Sequence, residues 1–163
     1  MTQTEIAATA ADRIASLGLT IPRRPPAPIG AFCNVRQHRD VLYVSGQGPV
    51  REDGTLERGK VGLDVTAEAA RGHAELVALN ILSVLQDHLG DLDRIEAVIK
   101  LHGLVNASAD FERRPYVIDG ASELMRAVLG PGGIHARTAF GVASLPNQIT
   151  VEIDAILSLR DLT

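Results

Sequence analysis

The apolar positions of this chain change period several times, and each change marks an element. Residues 2–17 put Ile6, Ala10, Ile14 and Leu17 on one helical stripe that Gly18 ends. The segment Ile21-Pro22-Arg23-Arg24-Pro25-Pro26-Ala27-Pro28-Ile29-Gly30 follows, and its prolines force an extended arm that wraps the main body. Phe32 to Gln37 and Val41 to Ser45 read as two strands around a tight turn at His38-Arg39-Asp40. A polar, glycine-containing loop then runs through Gly62. Thr66 caps a long helix whose stripe includes Ala69, Ala70, His73, Leu76, Val77, Asn80, Ile81, Val84 and Leu85, and Gly90 stops it.

Ile95 to Val105 reads as a strand with Ile95, Ala97, Ile99 and Leu101 on one face. Asp110 is the candidate cap of a second helix that runs through Leu129, with Val117, Ala121, Leu124, Met125 and Val128 as its stripe, closed by Gly130-Pro131-Gly132-Gly133. Two last alternating runs flank Leu145-Pro146-Asn147-Gln148, which favours an antiparallel hairpin. With Ser144 facing Ile149, Gly141 lies across from Glu152 and Ala139 across from Asp154. That register puts Thr150, Glu152 and Asp154 beside Arg137, Ala139 and Gly141, on the face opposite Val151, Ile153, Ala155, Leu157 and Leu159. The order ββαβαββ argues an α+β fold, a mixed sheet with two helices on one face. Its other face, with Val98, Val105, Val142 or Ala139, and Ile156 facing outward, is half apolar and implies association with copies of itself.

With 163 residues the chain reads as a single domain, residues 1–26 forming the N-terminal helix and arm and 27–163 the core. A net charge of −4, scarce aromatics and no basic run argue against nucleic acid as a partner. No apolar run is long enough to span a bilayer, and no secretory signal pattern opens the chain, so a cytoplasmic location is the expectation. Cys33 is the sole cysteine, and no ligand spacing for a metal occurs.

Arg137 carries the planar fork that holds a carboxylate through two parallel hydrogen bonds. The alternative is a structural ion pair with Asp154 or Glu152. Glu152 can act as a general base on water if partial burial lifts its pKa, or it can be an inward carboxylate paired with an arginine. His135 is read as structural and pointing away from Arg137, and His73 and His102 as satisfied core histidines.

Three segments together resemble the Rid family, also called YjgF/YER057c/UK114: Ala27-Pro28-Ile29-Gly30, Leu42-Tyr43-Val44-Ser45-Gly46-Gln47-Gly48-Pro49, and His135-Ala136-Arg137-Thr138 through Leu145-Pro146 to Val151-Glu152-Ile153. Lys60 to Val65 and Asp119 to Leu124 resemble its longer branch, labelled chorismate-mutase-like or endoribonuclease. The resemblance implies a homotrimer with a central barrel of three sheets and ligand clefts between subunits. It also implies hydrolysis of reactive 2-imino or 2-enamino acids to 2-keto acids and ammonia, without metal or organic cofactor. Arg137 falls on the family's substrate-carboxylate arginine, Glu152 on its water-activating glutamate, and Ser45, Gly46 and Gln47 on the cleft loop. Where the archetype often carries cysteine this chain has Ala139, where it carries an aromatic hydroxyl stands Phe32, and Asp119 falls near a cleft asparagine. The alternative function is non-catalytic binding of small carboxylates such as 2-keto acids. The acidic, aromatic-poor composition weighs against an endoribonuclease, and a lone evident arginine against chorismate mutase chemistry.

Overall fold

Local chemistry fixes the helix ends. Thr9 and Asp12 form a reciprocal cap that starts α1 (Ala10–Ser16), the Thr9 hydroxyl accepting from the Asp12 amide at 3.0 Å. Thr66 accepts from the Ala69 amide at 3.1 Å to start α2 (Ala67–Leu89), and Gly90 ends it with a left-handed backbone. The second long helix, α3 (Arg114–Leu129), begins later than expected: Pro115 fixes its first turn, and Asp110 stays in the preceding loop. The strands are β1 (Val35–His38), β2 (Val41–Gln47), β3 (Ile95–Asn106), β4 (Ala136–Val142) and β5 (Val151–Leu159). The computed structural model describes residues 8–160, so the part of the N-terminal helix expected before Ala8, Ile6 included, lies outside the described residues.

The sheet order is β1-β2-β5-β3-β4, antiparallel throughout except for the parallel β3–β4 pair. The expected β4–β5 hairpin does not form. β3, α3 and β4 make a crossover unit that sets β4 parallel beside β3 at the sheet edge, and β3 takes β5 on its other side. Residues 143–150 therefore carry the chain across the end of β3. They turn through a short 3₁₀ segment, with Asn147 and Gln148 both at positive φ. Leu101 accordingly has Arg137 on one side and Ala155 on the other, and Leu104 lies between Phe140 and Glu152.

One face of the sheet packs on α2 and α3 through Leu42, Val98, Leu101, Val105, Ile153 and Leu157, all essentially buried. Gly103 lets α3 approach: a Cβ there would lie 2.7 Å from Ile118 Cδ1. Register irregularities between Ile95 and Lys100 shift the alternation of β3, so Val98 faces the helices and not outward and Ile99 turns out, while Val105 faces the helices because it is in phase with Leu101, four residues before it. The uncovered face carries Tyr43, Ile99 and Phe140, each 39–48% exposed, with Leu104 and Ile156 between them. The proline arm runs without regular structure over one end of the molecule and is pinned twice. The Ser83 hydroxyl donates to Pro22 O at 2.6 Å, and the Asn34 amide donates to Pro26 O at 2.7 Å.

Candidate functional site

Glu152 occupies the uncovered face at the point where β2 bends away from β5. A register irregularity between Val44 and Gln47 opens the ladder there, and Gly46 fits over the carboxylate because it has no side chain. A Cβ on Gly46 would fall 2.1 Å from Glu152 Oε1. Burial is the main cause that pushes the Glu152 carboxyl above the usual carboxylate range, and the negative charge of Asp154 adds to it. A raised pKa in a cleft suits a proton acceptor that works near neutrality.

Beside Glu152 is a pocket of about 260 Å³ walled by the proline arm, Phe32, Gly46, Gln47, Leu56 and Ile149. Its polar groups are held in place. Gln47 is buried and donates to Ser45 O at 3.1 Å and to Asn34 Oδ1 at 3.3 Å. The Ser45 hydroxyl donates to Cys33 O at 2.7 Å, so it fixes the loop and does not project into the pocket as a free nucleophile. Phe32, Ser45, Gly46 and Gln47 thus gather around Glu152. Phe32 precedes β1 and does not belong to it, because β1 starts at Val35.

Arg137 belongs to a different locality. It opposes buried Leu101 and faces α3, whereas Glu152 opposes Leu104 on the uncovered side. The shared face expected for Arg137, Ala139 and Glu152 is therefore wrong. With β3 interposed, the pairing that sets side-chain phase runs through Leu101 and Leu104, which point oppositely. Ala139 opposes Gly103, which has Ile153 on its other side, and packs on the core. Asp119 accepts from Arg137 Nη1 at 2.7 Å, so the arginine's acidic partner is neither Asp154 nor Glu152. Two spacings of about 4.8 Å across the sheet and three residues of about 3.3 Å along it separate the two Cα atoms by roughly 14 Å, with the side chains pointing to opposite faces. A small molecule does not bridge them within one chain.

Ser122, which binds Arg137 directly, and His135, which binds Ser122, aim the arginine. Ser122 Oγ accepts from Arg137 Nη1 at 3.0 Å and lies 3.0 Å from His135 Nε2, while His135 Nδ1 lies 2.7 Å from Gly133 O. A carbonyl requires a donor, so Nδ1 carries the proton, and the serine hydroxyl donates to Nε2 while accepting from the arginine. His135 therefore shares a locality with Arg137 and does not point away from it. The signal was available: residues two apart in an extended segment share a face. Pro115 O accepts from Nη2 at 3.3 Å.

His73 and His102 each have side-chain partners. His73 Nδ1 meets Thr150 Oγ1 at 3.0 Å and its other nitrogen lies 3.4 Å from Glu57 Oε2. His102 Nδ1 meets Asp154 Oδ2 at 3.0 Å on the uncovered face, outside the core position expected for it. Among the described residues no group of three or more His, Cys, Asp or Glu side chains is placed to hold a metal ion. No described helix is long and apolar enough to cross a membrane.

Comparison with known proteins gives the same frame. Protein TCP17 of Trypanosoma cruzi is 42% identical over 121 residues, which are 74% of this chain and 76% of that protein. The crystal structure of Atu1372 from Agrobacterium tumefaciens, a protein of unknown function, is 41% identical with a TM-score of 0.84 over 93% of this chain and 94% of its own. A Shewanella oneidensis protein described as a putative endoribonuclease superposes with a TM-score of 0.89 at 27% identity, over 93% of this chain and all of its own. Residues 11–154 match the family model described as "YjgF/chorismate mutase-like, putative endoribonuclease". With that span and these relatives, the chain belongs to the YjgF family.

Proposed function

We propose that this protein hydrolyses reactive 2-imino and 2-enamino acids to 2-keto acids and ammonia, in clefts between the subunits of a homotrimer. The observation that carries the reading is Glu152, a carboxylate with a raised pKa set beside a small pocket under a glycine that leaves it room. The uncovered sheet face, with Tyr43, Ile99 and Phe140 half exposed, is the surface that assembly into a barrel would bury. Arg137 and Glu152 point to opposite faces of one sheet, so a shared substrate takes the arginine from one subunit and the glutamate from its neighbour. Arg137 fixes the substrate carboxylate.

Glu152 accepts a proton from water as the water oxygen bonds to the imine carbon, and that proton goes on to nitrogen. As the C–N bond of the resulting carbinolamine breaks, its hydroxyl proton passes to the leaving nitrogen, releasing ammonia and the 2-keto acid. One water is consumed, and no electrons are exchanged with an oxidant or reductant. Imines are electrophilic already, so orientation and a proton shuttle suffice. The second reading, binding of small carboxylates without turnover, draws on the Asp119–Arg137 contact, which partly neutralises the guanidinium before any ligand arrives.

The test uses imines generated by an amino-acid oxidase with semicarbazide as the competing trap. The expected result is accelerated keto-acid release with the native protein, lost by at least about 10²-fold in Glu152→Gln. The glutamine variant should still bind 2-keto acids. Retained turnover in that variant removes Glu152 as the base, and no acceleration for any imine favours the binding reading.

A further inference from the structure

We infer that the pocket beside Glu152 receives the side chain of the substrate and selects a branched aliphatic or aromatic one, with the proline arm as its specificity wall. This inference rests on the reading that Glu152 belongs to a 2-imino acid site. The pocket's composition carries it. Pro26, Ile29 and Phe32 of the arm face Val50, Leu56 and Ile149, and Glu152, Asn34, Gln47 and Asn147 are the polar exceptions. Asn34 and the amide nitrogen of Gln47 bond to each other and to backbone, as described above, so those groups are committed to holding the wall. A hydroxylated or charged substrate side chain would lose its water there and gain little in exchange.

Size agrees with composition. About 260 Å³ corresponds to roughly nine water-sized groups at ~30 Å³ each. The methyl group of the smallest 2-imino acid takes one of those roughly nine places, an isobutyl group about four and a benzyl group about seven. Ile29 and Phe32 remain 76% and 48% exposed, large apolar groups at the pocket mouth that a ligand side chain would cover. The wall is also fastened to the catalytic face. Asn34 holds the arm through Pro26 O, and the Asn80 amide holds the opposite loop through Gly48 O and Val50 O, both at 3.0 Å. Residues 22–32, which carry no regular structure, are thereby a fixed part of the site.

The experiment is calorimetric titration of the assembled, full-length protein with a graded series of 2-keto acids: pyruvate, 2-oxobutanoate, 4-methyl-2-oxopentanoate and phenylpyruvate. Each buried CH₂ strengthens binding by about fourfold, so the branched acid should bind at least about tenfold tighter than pyruvate. Leu56→Asn and Ile29→Ser should each cut that ratio to below about threefold. Ile29 is so exposed that its replacement leaves folding intact, which keeps the test decisive if Leu56→Asn misfolds. A flat series, or a ratio unchanged in the variants, overturns the inference. Failure of the underlying reading looks different: pyruvate binding would persist undiminished in Arg137→Ala, whatever the slope of the series.

Discussion

Gly46→Ala should separate activity from stability. The added Cβ would lie 2.1 Å from Glu152 Oε1, 2.9 Å from its Cδ and 3.1 Å from its Cγ. Gly46 has no positive φ, so the backbone accepts alanine without strain. The carboxylate has to swing away by more than about 1 Å to reach ordinary van der Waals contact, and it is the free end of a flexible side chain. Turning it off its preferred rotamer costs about 1 kcal/mol, which lowers Tm by no more than about 4 °C for a chain of this size. A misplacement of that size at a reacting group costs about 10²-fold in rate. The assay is kcat/KM on an oxidase-generated imine, read beside a thermal melt and the oligomeric state. A variant with full activity refutes the claim that the carboxylate beneath Gly46 does the chemistry. An inactive variant that has also lost its fold or assembly refutes the claim that the glycine serves the site alone.

Asp119→Asn keeps the shape of Arg137's partner and removes its charge, so the guanidinium loses its aim. KM should rise about fivefold with kcat within about threefold, as expected for a part-exposed ion pair. A fall in KM would show instead that Asp119 competes with the substrate carboxylate. Burial holds His73 below the ordinary histidine range, with Glu57 opposing that shift. The folded state therefore binds this proton less readily than the unfolded chain, and the stability His73 contributes is present above the ordinary histidine pKa and is lost as pH falls through it. Denaturant midpoints between about pH 7.5 and about pH 5.5 should fall less steeply in His73→Gln than in the native protein, and equal slopes would remove His73 from the account.

The sequence carried the elements that depend on neighbouring residues. Thr66 and Gly90 mark the ends of α2, and the apolar stripe of α3 was readable from its spacing. The strand order of β4 and β5 was not, because alternation states which residues share a face of one strand and nothing about which strand lies alongside. Residues 143–150 have the composition of a hairpin turn and the length to step over β3. That single misplacement moved Arg137 onto the wrong face and paired it with the wrong acid. Asp119, 18 positions away along the chain, reaches Arg137 only because α3 packs across β4. The gathering of Phe32, Gln47 and Glu152 likewise depends on the bend in β2 and on the clasp of Asn34 upon the arm. Neither leaves a periodic trace.

Mixed assemblies test directly whether Arg137 and Glu152 of different subunits complete one site. Arg137→Ala and Glu152→Gln chains, each expected to be inactive alone, are co-expressed and purified as mixed assemblies. If each site draws its two groups from neighbouring chains, random mixing leaves about a quarter of the sites intact, and imine hydrolysis returns to about that fraction of the native rate. If both groups served from one chain, no mixture would contain an intact site. Mixed assemblies as inactive as either parent would contradict a site shared between subunits.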